Sequence, residues 1–339
     1  MSTQFRMTDG PLLDAQGQLI EKGYQTRLSR VYDRSAIRAG ALRIKEWDYY
    51  CVTSGSKVLA LTIADNGYMG LISASVLDFE KPWEQTTSVI TAFPMGKYKL
   101  PETSAAGVTS YTDSRVNMRF EAADGVRHIS CVFHKFLRDE TLEAKLTLTD
   151  EPQHSMVIAT PFEKPKAFYY NQKINCMRVN GFMRLGGKTY DFSEEDSFAT
   201  LDWGRGVWTY DNTWYWGNGN GTVNGHRVGF NIGYGFGDTS AASENMIIYD
   251  GMAHKLSKVN FNIPADSYTK PWTFTSNDGR FEMDFVPVID RAARTNALII
   301  ESDQHQVFGR FTGKMVLDGG DVIELKDFMG FAEKVHNRY

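Results

Sequence analysis

Cysteine is scarce in this 339-residue chain: Cys51, Cys131 and Cys176 are the only three, far apart and odd in number. No Cys-x-x-Cys pair occurs, which argues against a structural zinc or a disulfide framework and for buried free thiols in a reducing compartment. Long apolar runs are missing as well. No stretch approaches the roughly 20 apolar residues of a membrane helix, and the opening MSTQFRMTDGPLLDAQ has no apolar core of a secretory signal. The expected location is cytoplasmic, without stable membrane insertion. Positive charge is not in excess either, since 37 Lys and Arg stand against 41 Asp and Glu for a net charge of −4. Nucleic acid is therefore not an expected partner, because it needs a basic footprint. H-x-H, H-E-x-x-H, G-x-S-x-G and phosphate-loop patterns are also absent, so no metal and no nucleotide cofactor is expected.

What is present is alternation. Residues 1–35 are polar and read as an irregular arm that wraps something, and Ser35 to Ile44 can form a helical turn or two. From Trp47 onward the apolar period becomes two: WDYYCVTSG, KVLALTIADNG and YMGLISASVLDF are strand-like runs closed by Ser-Gly and Asn-Gly turns. SRVNMRFEAADGVRHISCVFHKF alternates about Asp124-Gly125, a hairpin signal, and LEAKLTLTD sets Leu142, Ala144, Leu146 and Leu148 against Glu143, Lys145 and Thr147. A proline-rich break at 150–166 places a unit boundary near residue 160. Turn signals follow at Gly186-Gly187, Asp250-Gly251 and Asp278-Gly279, and the tail VIELKDFMGFAEKVHNRY reads as a strand followed by a helix-like turn. No short period recurs, which argues against a propeller or solenoid. Two halves with roughly eight strand signals each predict an all-β protein of two packed lipocalin-like (calycin-type) antiparallel barrels with few short helices. The expected units are 1–160, with the arm, and 161–339. Such barrels enclose room for a small ligand and leave a cleft between them.

The stretch from Leu201 to Asp238 concentrates the chemistry. It holds four of the seven tryptophans, Trp203, Trp208, Trp214 and Trp216, and a third of the glycines. Asp202 and Arg205 lie within reach of each other in a tight turn, either stapling that turn or opening into an aromatic-walled pocket. Trp214 and Trp216 share one strand face beside Gly217, Gly219 and Gly221, an arrangement that suits a flat ligand above the rings or plain core packing. Gly233, Gly235 and Gly237 leave a strip without side chains, and Asn218, Tyr234 and Asn245 are candidate ligand contacts. Glu244 supplies a second carboxylate that could pair with Asp202. His305 is a candidate base or a hydrogen-bonded core group. Glu333 and Asn337 have the spacing of neighbours on a helix and read, with His336 and Arg338, as anchors of the C-terminus.

LDWGRGVW, GYGFGD, ENMIIYDG, QHQVFG and GFAEKVHNRY resemble the bacterial domain-of-unknown-function family DUF2804, from about Tyr24 to Tyr339. More distantly the chain resembles the two-barrel lipocalin-like group that includes carotenoid hydratases, AttH-like proteins and tocopherol cyclase. That group carries an Asp-His-x-Trp-type segment early in its second barrel. Here Leu201-Asp202-Trp203-Gly204 is the nearest counterpart, without the histidine. The resemblance implies a hydrophobic pocket and cofactor-free acid–base chemistry on an alkene or polyene.

The leading expectation is thus a cofactor-independent enzyme of hydratase, isomerase or cyclase type acting on an apolar small molecule. Asp202 would be the acid, Arg205 would set its charge state or bind an oxygen, and the four tryptophans would form the wall. A non-catalytic carrier of a lipid or polyene is the second reading. A carbohydrate-processing enzyme, with Asp202 and Glu244 or Glu333 as acid and base, is the third.

Overall fold

The computed structural model describes residues 4–297 and 300–338. Among them the helical elements are two three-residue 3-10 turns, Arg34–Ala36 and Ala41–Arg43, and the rest is strand and loop. They fall where a helical turn or two was expected. Most strands build two curled antiparallel half-barrels, one of 13 strands and one of nine, and Gly10–Pro11 pairs with Arg30–Val31 in a separate parallel ribbon. This is the all-β two-barrel architecture the alternation predicts.

The first sheet runs in hydrogen-bonded order from Trp83–Ala92 through Met69–Asp78, Lys57–Asp65, Ile44–Ser54, Ser197–Val207 and Phe168–Leu185. It continues through Glu140–Thr149, Val126–Leu137 and Val116–Ala123 to Gly107–Thr112. Its hairpins follow the turn chemistry. Asp124 and Gly125, both at positive φ, join Ala123 to its partner Val126, a mirror-image turn that matches the twist of the strands. Leu142, Ala144, Leu146 and Leu148 are buried, and Glu143, Lys145 and Thr147 alternate with them toward solvent. The second sheet has Val322–Arg338 at its middle, and beside it Asp211–Val223, which pairs on its other side with His226–Tyr234.

Two local expectations give way. The tail is not strand then helix but one 17-residue strand, Val322–Arg338, paired with Asp211–Val223 on one side and Ile300–Val316 on the other. Two complete ladders outweigh the local helical spacing of Glu333 and Asn337. The proline-rich break at 150–166 lies inside the first sheet, where Met156–Pro161 pairs with Phe168–Leu185 and with Gly23–Gln25 of the arm. The chain leaves the first sheet after Val207 and enters the second at Asp211. The arm also touches the second sheet's loops, where the Phe5 amide donates to Ala241 O and Gln4 to Leu256 O. The three cysteines are buried and free.

Each half-barrel has its own apolar core, and two smaller clusters join them. One packs Tyr49, Cys51, Leu77 and Phe79 of the first sheet against Trp216, Ile289, Phe308 and Phe331 of the second. The other packs Met156, Ile158, Tyr169 and Trp208 against Phe236, Met246 and Ile248. A cavity of about 180 Å³ remains between these clusters. Gly204 shapes its wall: it pairs with Trp47 across the ladder, and a Cβ there would run into the indole. With no side chain in the way, the Trp47 ring stacks on Tyr169 at 6.0 Å and meets Trp208 edge-on at 5.3 Å.

Gly204→Ala should therefore overpack the seam and lower stability by about 1–3 kcal/mol. Urea unfolding in wild-type and Trp47→Leu backgrounds checks this, because the penalty should shrink when the indole is gone. An equal penalty in both backgrounds would disprove the contact.

Candidate active site

Strand Ser197–Val207 places Asp202 and Arg205 on opposite faces, because their separation of three residues is odd and a strand alternates. They do not form the expected pair. Arg205 points into the first half-barrel, fully buried, with its guanidinium 4.3 Å from the Trp203 ring. It lies 3.0 Å from Asp48 and donates to Trp47 O at 2.7 Å and to Pro101 O at 2.8 Å. Trp203 follows it inward, edge-on to Tyr32 and Tyr170, and is core rather than pocket wall.

Asp202 faces the other way, into the inter-sheet cavity. Its ladder partner is Lys173, whose buried Nζ lies 3.6 Å from Asp202 Oδ1 and 3.4 Å from Glu244 Oε2. The same ammonium donates to Asn171 Oδ1 at 2.8 Å and Tyr169 Oη at 3.0 Å, and sits 4.8 Å from the Trp216 ring. Asn171 Nδ2 in turn donates to Asp202 Oδ1 at 2.6 Å. So the structure brings Asp202 and Glu244 together, through a lysine. Burial pushes the Glu244 pKa up and the neighbouring Lys173 draws it back. Asn245, beside it, fixes the segment by accepting from Gly233 N and donating to Ser257 O, both at 2.7 Å.

A third carboxyl completes the cavity. Glu333 arrives from Val322–Arg338 opposite Gln306 and Trp216. Trp214 Nε1 donates to its Oε1 and Gln306 Nε2 to its Oε2, both at 2.9 Å. Burial pushes its pKa up to about 7, with Asp202 adding to the rise and the hydrogen bonds and Arg291 opposing it. Trp47, Trp208, Trp214, Trp216, Tyr169 and Phe236 supply the aromatic wall. Of the four tryptophans singled out in the sequence, Trp208, Trp214 and Trp216 line this cavity and Trp203 does not.

Other predicted contacts lie elsewhere. The face of Gly217, Gly219 and Gly221 is not open space above the rings: it meets Ile232, Phe230 and Phe328 of the second core. The strip at Gly233, Gly235 and Gly237 is filled by Glu244, Thr213 O and Thr160. Asn218 belongs to a buried polar cluster with Asn175 and Thr200. Tyr234 stacks on Tyr215 at 4.5 Å against the second core. His305 is on the far face of its strand from Gln304 and Gln306, 2.8 Å from Asp290 Oδ2 and stacked on Tyr268 at 3.8 Å. It does not line the cavity. Lys173 and Trp47 escaped the sequence reading. The signal for the lysine was the polar run Asn171-Gln172-Lys173 directly after the aromatic run Phe168-Tyr169-Tyr170. Among the described residues no group of three or more His, Cys, Asp or Glu is placed to hold a metal ion.

Comparison with solved structures gives the fold. A protein of Nitrosomonas europaea described as an AttH superposes with a TM-score of 0.52 at 11% identity, covering 91% of this chain and 97% of that one. Kievitone hydratase from Nectria haematococca aligns with a TM-score of 0.49 at 11% identity, over 93% and 97% of the two chains. CghA aligns at 0.45 and 10% identity, over 98% and 97%. No curated protein matches the chain by sequence. Residues 4–339 match the family described as a domain of unknown function, DUF2804, and the chain belongs to that family.

Proposed function

We propose that the chain is a cofactor-independent acid–base enzyme of hydratase, isomerase or cyclase type, acting on a small unsaturated molecule in the inter-sheet cavity. The observation that carries this reading is Glu333: a buried carboxyl, gripped by two donors, whose pKa of about 7 keeps both protonation states accessible near neutral pH. That is the condition for general acid–base work. Asp202 was the acid expected from sequence, but its place beside Asn171 and Lys173 makes it a stabiliser of positive charge and a proton acceptor instead.

In this scheme protonated Glu333 gives its proton to one carbon of a C=C bond. Positive charge develops on the other carbon, facing the Asp202–Lys173–Glu244 group across the aromatic wall. A hydration then adds water to that carbon, and the surplus water proton passes to Asp202 or Glu244. An isomerisation instead loses a proton from the neighbouring carbon to the same groups. The aromatic wall lowers the local dielectric, which strengthens each electrostatic contact.

Two observations favour this over the other readings. A carrier of an apolar ligand gains nothing from three carboxyls and a lysine around one small cavity, because burying them costs stability. A sugar platform needs free ring faces, whereas Trp208 and Trp214 meet each other and Phe236 edge-on, and the Trp216 face is covered by Lys173.

Turnover can be sought by incubating the protein with a panel of alkenyl phenols and enones in deuterated water, scoring deuterium uptake and water addition by mass spectrometry. Glu333→Gln should lower the rate by about 100- to 10,000-fold, and the wild-type rate should fall as pH rises through about 7, where the acid is lost. An unimpaired variant removes Glu333 from the mechanism.

The same carboxyl makes a prediction independent of substrate. Its folded pKa is raised above the ordinary 4.5, so between that value and about 7 the folded chain holds a proton the unfolded chain releases. Stability contributed by the protonated form is present below pH 4.5 and is lost as pH rises toward 7. The stability of Glu333→Gln relative to wild type should therefore grow by about 3 kcal/mol from acid to neutral pH. Urea titrations at the two ends of this range measure it, and a constant difference would contradict the raised pKa.

A further inference from the structure

Among the described residues two cations line the inter-sheet cavity, Lys173 and Arg291, and they are partnered differently. Lys173 lies between Asp202 and Glu244. Arg291, on strand Phe281–Ala297, forms no ion pair among the described residues. Its Nη1 donates to Ser75 Oγ of the first sheet at 2.8 Å. Ser75 is buried and shares a hydrogen bond of 2.8 Å with Thr86, whose hydroxyl donates to Glu84 at 3.1 Å. This relay orients the guanidinium across the seam, with two hydroxyls between it and the carboxylate. The Nε–Nη2 edge, the fork that can take both oxygens of a carboxylate, has no acceptor among the described residues.

Strand register fixes where that guanidinium stands. Arg291 pairs with Gln306, Gln306 with Glu333, and Glu333 with Trp216, so the four form one row across the cavity face of the second sheet. Two strand spacings, about 10 Å, separate the backbones of Arg291 and Glu333. The charge of Arg291 is felt at the acid, where it opposes the rise in the Glu333 pKa. Left alone, it would also oppose positive charge on a reacting carbon in the same cavity. An anion seated on Arg291 cancels that opposition and gives the half-buried guanidinium the partner that partial desolvation calls for. The cavity, about 180 Å³, is on the scale of the ~150 Å³ that admits one benzene ring, so the molecule is small.

We propose that the substrate of the inter-sheet cavity is a small unsaturated acid, bound as its carboxylate to the Nε–Nη2 edge of Arg291 with its C=C bond along the row toward Glu333. This rests on the catalytic reading of the cavity and adds unsaturated acids to the molecules it should turn over. The bidentate anchor would fix the reacting carbons against the proton of Glu333. One guanidinium matches the single charge of a carboxylate, whereas a phosphate monoester brings up to about two.

The test is isothermal titration calorimetry with three probes: cinnamate, its neutral isostere cinnamamide, and phenyl phosphate. Cinnamate should bind about tenfold or more tighter than the amide, and tighter than phenyl phosphate. Arg291→Gln should bring cinnamate down to the affinity of the amide and leave the amide within about twofold. Arg291→Lys keeps the charge without the fork and should retain a preference of about threefold. It keeps the test readable if Arg291→Gln unfolds, which melting temperatures report. Wild-type protein that binds cinnamate no better than the amide, prefers phenyl phosphate, or binds none of the three overturns the inference. So does an undiminished preference in Arg291→Lys, or one that survives Arg291→Gln and leaves Arg291 a staple between the sheets. Binding is read without turnover, so failure of the acid–base reading and failure of the carboxylate seat give different results.

Discussion

A single buried ammonium, that of Lys173, is the interaction on which the centre of this protein depends. It sits where the two half-barrels meet, within reach of Asp202 from its own sheet and Glu244 from a loop of the other. Two carboxylates facing each other in a low-dielectric seam repel, and the lysine between them turns that repulsion into a connection. Asn171, Tyr169 and the Trp216 ring complete its surroundings, so the cation is satisfied on several sides. The interface is thereby fixed by charge at its centre and by apolar clusters at its two flanks.

Charge is used differently in the first half-barrel. Arg205 and Asp48 form a buried pair there, with Thr109 also donating to Asp48 and main-chain carbonyls accepting from the guanidinium. That pair borders a gap of only about 10 Å³, which leaves no room for a ligand. The inter-sheet group is open, because Asp202, Glu244, Lys173 and Glu333 all line a cavity. The contrast separates a structural ion pair from an arrangement able to act on a ligand. Glu333 accepts from Trp214 and Gln306, and burial outweighs these bonds and the charge of Arg291, so its pKa rises to about 7.

Holding such groups out of water works against stability, and the fold offsets this with aromatic packing that serves the site as well. Trp47 reaches its position because Gly204 opposite it has no side chain, and it then supports both Tyr169 and Trp208. One missing Cβ thus links the central ladder of the first sheet to the wall of the cavity. The glycines of Asp211–Val223 do the same on the far side, where they admit Phe230 and Phe328 of the second core.

Period-two alternation and Asp-Gly or Gly-Gly turns act between residues close in the chain, so the all-β class, the hairpins and the pairing of Trp214 with Trp216 on one face were decided by the sequence by itself. Asp202, Trp208, Trp214 and Trp216 stand out in one stretch of the sequence, with Glu244 six residues beyond it, and all five line the cavity. Arg205 was misread because a tight turn was assumed where a strand runs, and strand alternation sends it away from Asp202. Glu333 was misread because local spacing suggested a helix, whereas two long-range ladders impose a strand. Lys173 carried only the faint signal of a polar run directly after three aromatic residues. These residues are tens to hundreds of positions apart, and their distances depend on which strand each ladder brings alongside. Tertiary structure alone decided that one lysine would lie between two acids, and that a third acid would be buried deeply enough to hold its proton near neutral pH.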